Sequence, residues 1–336
     1  MTAAEALLQR ARGGDGQAFA ELIEPHRREL HVHCYRMLGS FDDADDAVQE
    51  TLLAAWRGLA AFQARASIRT WLYRVATNTC LNLLRNATRR PQTAPALPAT
   101  APPPSSSDKV TWLQPYPDAL LDGLPDGDLG PQARAEQNEA ISLAFIAALQ
   151  LLSPRARAVL ILRDVLGFSA RDAADALHST QEAVAMTLSR ARASLRGTAR
   201  PSRPSADRAV EAALARRLAA AFTAHDIDTV VSLLAEDVRI AMPPLPAVWQ
   251  GRQHAAVFLA EVAFRLVPEA RFVQIHANRQ PALAVYARDD ITGLWHSSGL
   301  LVITARGDQV AGLTRFEQHT LRAFGLPRIL SGDDLA

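Results

Sequence analysis

Apolar positions recur at helical spacing through the first part of the chain. Between Gln17 and Leu38 they fall at Phe19, Leu22, Ile23, Leu30 and Val32. Ser40-Phe41-Asp42 interrupts the run. Asp42 or Asp43 is placed to cap a helix extending to about Leu59, with Ala47, Val48, Leu52, Ala55 and Leu59 as one stripe. Ser67 caps another, to about Arg85, with Ile68, Leu72, Val75, Leu81 and Leu84 apolar. Glu136 to Leu151 is a further apolar-rich helix. Ser153-Pro154 is an N-cap followed by proline at the first helical position, and the helix from Arg155 to Leu166 ends at Gly167. Ser169 with Asp172 opens a short helix to Leu177, and Ser179 with Glu182 a longer one to about Arg196.

The pattern changes after residue 207. Helices fit 207–224, 227–235 and 252–266. Then come runs with strand character at 270–277, 282–288, 299–305 and 309–317. A few helices followed by an antiparallel meander predict an α+β domain. Two composition breaks divide the chain. Residues 91–131 hold ten of the twenty prolines, with Ser105 to Ser107 and two Asp-Gly pairs, and read as an extended linker. Within it, Trp112, Leu113, Tyr116, Leu120 and Leu121 are suited to docking on a neighbouring surface. The second break is 196–207. The expected domains are therefore 1–90, 132–197 and 207–330, with 91–131 as linker.

Composition narrows the class. In 336 residues, AVILMFWYC make up 49% and charged residues 21%, a globular balance that excludes a wholly disordered chain. The most apolar run, Ile141 to Leu152, is far short of the roughly 20 residues a membrane span needs. The N-terminal residues carry no signal-peptide pattern. Cys34 and Cys80 are too few for a disulfide framework, so a cytoplasmic location is expected. His31, His33 and Cys34 suggest a metal only superficially, because positions two apart on a helix diverge. No Gly-rich phosphate loop, G-x-S-x-G or H-E-x-x-H pattern occurs, and no cofactor is expected.

Net charge is only +1, yet charge is segregated. From Met37 to Trp56 there are five acids (Asp42, Asp43, Asp45, Asp46 and Glu50) and no base. From Arg69 to Arg90 there are five arginines and no acid, and Met186 to Pro204 repeats that count. The last two helices of the second block, joined by His178-Ser179, have the form of a helix-turn-helix. On the second of them Val184, Leu188, Ala191 and Leu195 share an inward face. Gln181, Glu182, Ala185, Met186, Ser189 and Arg190 point away toward base edges, while Arg192 and Arg196 flank that face and suit phosphates. Spacing alone leaves a plain antiparallel helix pair with a solvated basic face equally open.

SFDDADDAVQETLLAAWRGLAAF followed by ASIRTWLYRVATNTCLNLLR resembles region 2 of sigma-70-family factors of the extracytoplasmic-function type. LSPRARAVLILRDVLGFSARDAADALHSTQEAVAMTLSRARASLR resembles region 4 of the same family. Together they cover roughly residues 15–90 and 135–197. The third block resembles the SnoaL-like domains that end some members, through AFTAHDIDTVVSLLAEDVRIAMPPLP and the helix-then-strand order. The fold class implied is two all-α helical domains, the second a helix-turn-helix, plus a C-terminal α+β SnoaL-like cone-shaped domain.

The resemblance implies a sigma factor that catalyses nothing and lends promoter recognition to RNA polymerase core enzyme. The acidic helix (Asp42, Asp43, Asp45, Asp46, Glu50) is similar to the segment that binds the polymerase clamp. The helix from Arg69 resembles the part that holds the melted −10 element. Arg69, Arg74, Arg85, Arg89 and Arg90 would supply cations, Asn78 and Asn82 would reach base edges, and flipped bases would sit against the loop 58–67 with Phe62. Helix 180–196 would dock at the −35 element. Here the sequence departs from many members, carrying Ala185-Met186-Thr187 where they have Lys or Arg. The third block would be regulatory, with an unidentified small ligand in its pocket. Alternatives are a ligand-sensing helix-turn-helix regulator, or an enzyme using His225, Asp226, Asp237, His254, His276 and His296 of the third block.

Overall fold

The computed structural model describes residues 3–62, 66–86, 97–107, 113–122, 139–196 and 208–330. Contacts gather the chain into two units. One comprises 1–90, 120–128 and 146–199; the other comprises 91–119, 129–145 and 200–336.

The first unit is helical. It begins with α1 (Ala3–Arg12) and α2 (Gly16–Ile23), the latter capped by Asp15, whose carboxylate accepts from the Ala18 N–H at 3.0 Å. A 3-10 turn at Glu24–His26 separates α2 from α3 (Arg27–Leu38). The single periodic run from Gln17 to Leu38 is thus two helices. Pro25, within the turn, has no N–H to continue the ladder. Gly39 ends α3 at φ 75°, and α4 (Phe41–Gly58) follows. Its cap is Ser40, not Asp42 or Asp43: the Ser40 hydroxyl accepts from the Asp43 N–H at 3.2 Å. Ser67 caps α5 (Ile68–Asn86), as expected, accepting from the Thr70 N–H at 3.0 Å. Tyr35, Leu30, Ala44, Leu72, Cys34 and Cys80 form a sealed interior among α3, α4 and α5. Both thiols are free, and the Cys80 thiol is pushed up by its hydrogen bond with Cys34 and by burial, which leaves it unreactive.

The next helices are α6 (Leu143–Gln150), which joins this unit from Ile146 on, α7 (Pro154–Leu160, continued by a π turn Ile161–Val165), α8 (Ala170–Ala176) and α9 (Gln181–Arg196). Ser153 and Ser169 cap α7 and α8 as expected. Thr180 rather than Ser179 caps α9, its hydroxyl accepting from the Ala183 N–H at 3.2 Å. The helix expected over Glu136 to Leu151 is interrupted at 140–142, with Glu139 still helical and α6 starting at Leu143; residues 136–138 lie outside the described residues.

The second unit is α+β. Helices α10 (Arg208–Thr223), α11 (Ile227–Leu233) and α12 (Arg252–Phe258, continued to Leu266) lie over one face of a sheet. Its strands are β1 (Ser106–Ser107), β2 (Leu234–Met242), β3 (Leu245–Gln250), β4 (Ala270–Ala277), β5 (Gln280–Arg288), β6 (Trp295–Arg306) and β7 (Gln309–Glu317), in the order β1-β3-β2-β7-β6-β5-β4, with β8 (Ile329–Leu330) on β6. The meander β4 to β7 is antiparallel as expected, but β2 pairs with β7 in parallel. The helix expected to reach residue 235 stops at Leu233. From there Val238, Ile240 and Met242 alternate into the core as strand β2.

The linker joins this sheet. Ser106 and Ser107 add to the β3 edge, the Trp249 indole N–H donates to the Pro102 carbonyl at 3.0 Å, and Leu97 and Ala101 pack on the core. Leu113 and Tyr116 are buried, as their apolar character suggested; Trp112 lies outside the described residues.

Candidate polymerase and promoter interfaces

Helix α4 turns Ala44, Ala47, Val48, Thr51 and Ala55 inward. Its outer face carries exposed Asp42, Asp45, Asp46 and Glu50, with Asp43 half-buried. On the same helix Leu53 and Trp56 are 56% and 37% exposed. The face is therefore carboxylates flanking apolar side chains, a composition suited to a basic protein surface with an apolar centre. The apolar part was readable only as residues off the buried stripe.

On α5 the expected strand-binding residues are differently occupied. Arg69 donates through Nε to Glu29 at 2.8 Å and lies over the Tyr73 ring at 5.0 Å. It is therefore part of an internal ion pair, because Glu29 is buried and needs a partner. Glu29 also pairs with His26 at 2.7 Å and accepts from the Tyr73 hydroxyl at 3.2 Å. Burial pushes the Glu29 carboxyl up, but hydrogen bonds from His26 and Arg69 outweigh it and the net shift is downward. Asn82 accepts from Arg85. Asn78 donates to the Ala176 carbonyl at the end of α8, at 3.4 Å. Arg89 and Arg90 lie outside the described residues.

Arg74 lines a groove of about 830 Å³ with Phe62 and Trp71 on one wall and Arg171, Asp175 and His178 on the other. Phe62 is itself 8% exposed, its ring centroid 5.0 Å from that of Trp71. Ring contact between Tyr73 and Phe168, 5.6 Å apart, joins the same two helical blocks.

Helix α9 buries Val184, Leu188 and Ala191 and exposes Gln181, Glu182, Ala185, Met186, Ser189 and Arg190. The Glu182 carboxyl is lowered by its own backbone N–H and by Thr180 at the helix start. Arg196 is exposed. Arg192, exposed, makes two hydrogen bonds to Asp164, at 2.9 and 2.6 Å, so it shares its charge with a carboxylate of its own block.

Family models match this arrangement block by block: "Sigma-70 region 2" over residues 22–90, "Sigma-70, region 4" over 142–195 and "SnoaL-like domain" over 215–321. The chain is similar to ECF RNA polymerase sigma factor SigG of Mycobacterium tuberculosis, with 42% identity over 325 residues, 94% of this chain and 85% of SigG. The chain belongs to the ECF sigma factors. This ECF factor also shares its fold with the crystal structure of M. tuberculosis SigJ, at TM-score 0.59 and 21% identity over 90% of this chain and 97% of that one. It resembles M. tuberculosis SigM at 32% identity over 182 residues, 54% of this chain and 77% of SigM.

An ECF sigma factor is a non-enzymatic initiation factor that works with RNA polymerase core and promoter DNA. In the SnoaL-like domain of this one, the acid/base candidates do not converge. Asp226 caps α11, accepting from the Thr229 N–H at 2.9 Å. Asp237 is in a surface ion pair with Arg306 at 2.9 Å. His225, His254 and His276 are exposed at separate elements, and His296 is half-buried on β6. Among the described residues no helix of this ECF factor is long and apolar enough to cross a membrane.

Proposed function

We propose that region 2 spans residues 1–90 and region 4 residues 132–197, with 91–131 as the linker between them and 207–330 as a regulatory SnoaL-like domain. The outer face of α4, through Asp42, Asp45, Asp46, Glu50, Leu53 and Trp56, docks on the polymerase clamp. Asp43, half-buried, adds to the field of that face. Helix α5 holds the melted −10 strand through Arg74, Asn78, Asn82 and Arg85, with Arg89 and Arg90 extending the cationic path. Arg69 acts mainly by fixing α5 against Glu29. Helix α9 enters the −35 major groove with Gln181, Glu182, Ser189 and Arg190 toward base edges and Arg196 toward phosphate. The exposed α9 face supports this reading: Val184, Leu188 and Ala191 are buried, while Gln181, Glu182, Ser189 and Arg190, with Ala185 and Met186 between them, are exposed.

The SnoaL-like domain modulates the factor, and the supporting observation is that it holds the linker. Residues 91–119 and 129–145, on either side of 120–128, belong to its unit. A ligand in this domain would act by binding one arrangement of the linker better than another. The test is transcription in vitro with core polymerase, comparing the full chain with residues 1–200. Changed promoter output with retained core binding is expected. Identical output from both would remove the modulating role.

A further inference from the structure

Strands β4 and β5 are joined by the two residues Asn278 and Arg279, with Ala277 and Gln280 as the closing pair. Both central residues have positive φ, 56° and 60°, the backbone of a type I′ turn. Asn tolerates this conformation. Arg does not, and glycine is usual at the second position.

What the turn holds is the linker. Asn278 is fully buried. Its N–H donates to the Tyr116 carbonyl at 2.9 Å, and its side-chain oxygen accepts from the Tyr116 N–H at 2.8 Å. Its side-chain nitrogen donates to the Ile141 carbonyl at 2.8 Å. One carboxamide thus binds the chain at residue 116 and again at residue 141. Neighbours extend the grip. The Arg279 N–H donates to Asp118 at 2.8 Å, with the guanidinium 3.9 Å from the same carboxylate. Gln280 accepts from the Leu143 N–H at 3.1 Å and donates to Thr304 on β6 at 3.1 Å. Leu143 is the first residue of α6, so region 4 starts at the grip with no slack.

We propose that the Asn278–Arg279 hairpin tip is a clasp on the linker, through which the SnoaL-like domain limits how far region 4 can move from region 2. The proposal deepens the modulating role above and rests on it. Closing the chain between residues 116 and 141 withdraws a segment able to span about 85 Å when extended. The reach remaining to region 4 is set by the clasped chain, and a shorter tether raises the effective concentration of one region near the other. Regions so tethered serve a narrow range of distances between −35 and −10 elements; released regions serve a wider one.

The test uses the full chain and Asn278→Gly, which removes the carboxamide while suiting the turn. By hydrogen exchange, the Tyr116 amide in the variant should exchange about tenfold faster, the scale of one lost hydrogen bond, and Leu143, still held by Gln280, by less, with β4 and β5 unchanged. Arg279→Gly, which relieves the turn and removes only the guanidinium, should give a smaller effect. Promoters selected by the wild-type holoenzyme from a random library are then rebuilt with spacers one or two base pairs longer or shorter. The Asn278→Gly holoenzyme should lose output less steeply across that series. Unchanged exchange, or faster exchange with the wild-type spacer profile, overturns the clasp. Failure of the wild-type chain to direct any promoter-dependent transcript would instead strike the interfaces proposed above.

Discussion

Asn78 on α5 donates to the carbonyl of Ala176 on α8 at 3.4 Å, so the helix proposed to hold the −10 strand is joined directly to region 4. The closure is reinforced by Arg157. Its guanidinium is buried and donates to the carbonyls of Leu149 at 2.9 Å and Leu152 at 3.3 Å in region 4 and to Met37 at the end of α3 in region 2. Gln150 spans the same junction, donating to the Arg36 carbonyl at 3.5 Å, and lies so close to Gly39 that a Cβ there would meet it at 2.9 Å. Burial lowers the Arg157 guanidinium to about 10, still charged at neutral pH.

Arg157→Ala leaves several buried carbonyls without their donor, a loss of about 3 kcal/mol. Hydrogen exchange should rise in α5 and α8 while α4 stays protected. Gln150→Ala should move the same amides by less. Unaltered protection of α5 in both variants would show that this junction does not hold region 4 on region 2.

Reversing charge at Asp45, Asp46 and Glu50 should weaken binding to core polymerase without unfolding region 2, since all three are exposed and such carboxylates contribute little to stability. The apolar part of the face gives an independent check. Leu53→Ala and Trp56→Ala should lower the unfolding midpoint only slightly, yet shorten the lifetime of the complex with core. Full retention of core in a pull-down by both sets of variants would remove α4 from the interface.

The helices of both regions were legible because each has an apolar stripe and a serine at its start, as at Ser67, Ser153 and Ser169. Where several cap formers stand together, spacing could not choose: Ser40 and Thr180 take the caps expected at Asp42 or Asp43 and at Ser179. Strands β2 and β3 were missed although Val238, Ile240 and Met242 alternate, because the apolar run Val230 to Leu234 before them continues a helical period. The outward faces of α4 and α9 follow directly from their buried stripes. The pairing of Arg69 with Glu29 and of Arg192 with Asp164 does not, because each joins residues far apart in sequence whose meeting depends on tertiary packing.

His33 gives region 2 a built-in acid sensitivity. It is fully buried, its Nε2 2.9 Å from the Thr77 hydroxyl, and its pKa is pushed down to about 3, mainly by desolvation and further by Arg36. Thr77 donates its hydroxyl to the Tyr73 carbonyl, so Nε2–H is the donor in the histidine contact and the buried ring is neutral. The unfolded chain takes up a proton below about pH 6.5 that the folded chain refuses until pH 3. Stability should therefore fall as pH drops through that window, by about 1.4 kcal/mol per pH unit from this group at most. His33→Gln, which keeps a donor for Thr77, should flatten the dependence of the unfolding midpoint between pH 6 and 4. An unchanged slope would place the acid sensitivity elsewhere.

On α9 the ion pair separates two arginines that sequence alone treats alike. Arg196 is exposed near the helix end, whereas Arg192 is held by both oxygens of Asp164. Each phosphate contact steepens the salt dependence of promoter binding by about one unit on a log–log scale. Arg196→Ala should lower the slope of holoenzyme binding by about one unit. Arg192→Ala alone should lower it by less, and Asp164→Asn, which frees Arg192, should tighten binding at low salt. Substituting Gln181 or Glu182 should leave the slope unchanged and alter preference among −35 variants, because contacts to base edges carry sequence information and contacts to phosphate do not. Equal effects of all these changes across a panel of −35 sequences would refute the division of α9 into a reading face and a phosphate edge.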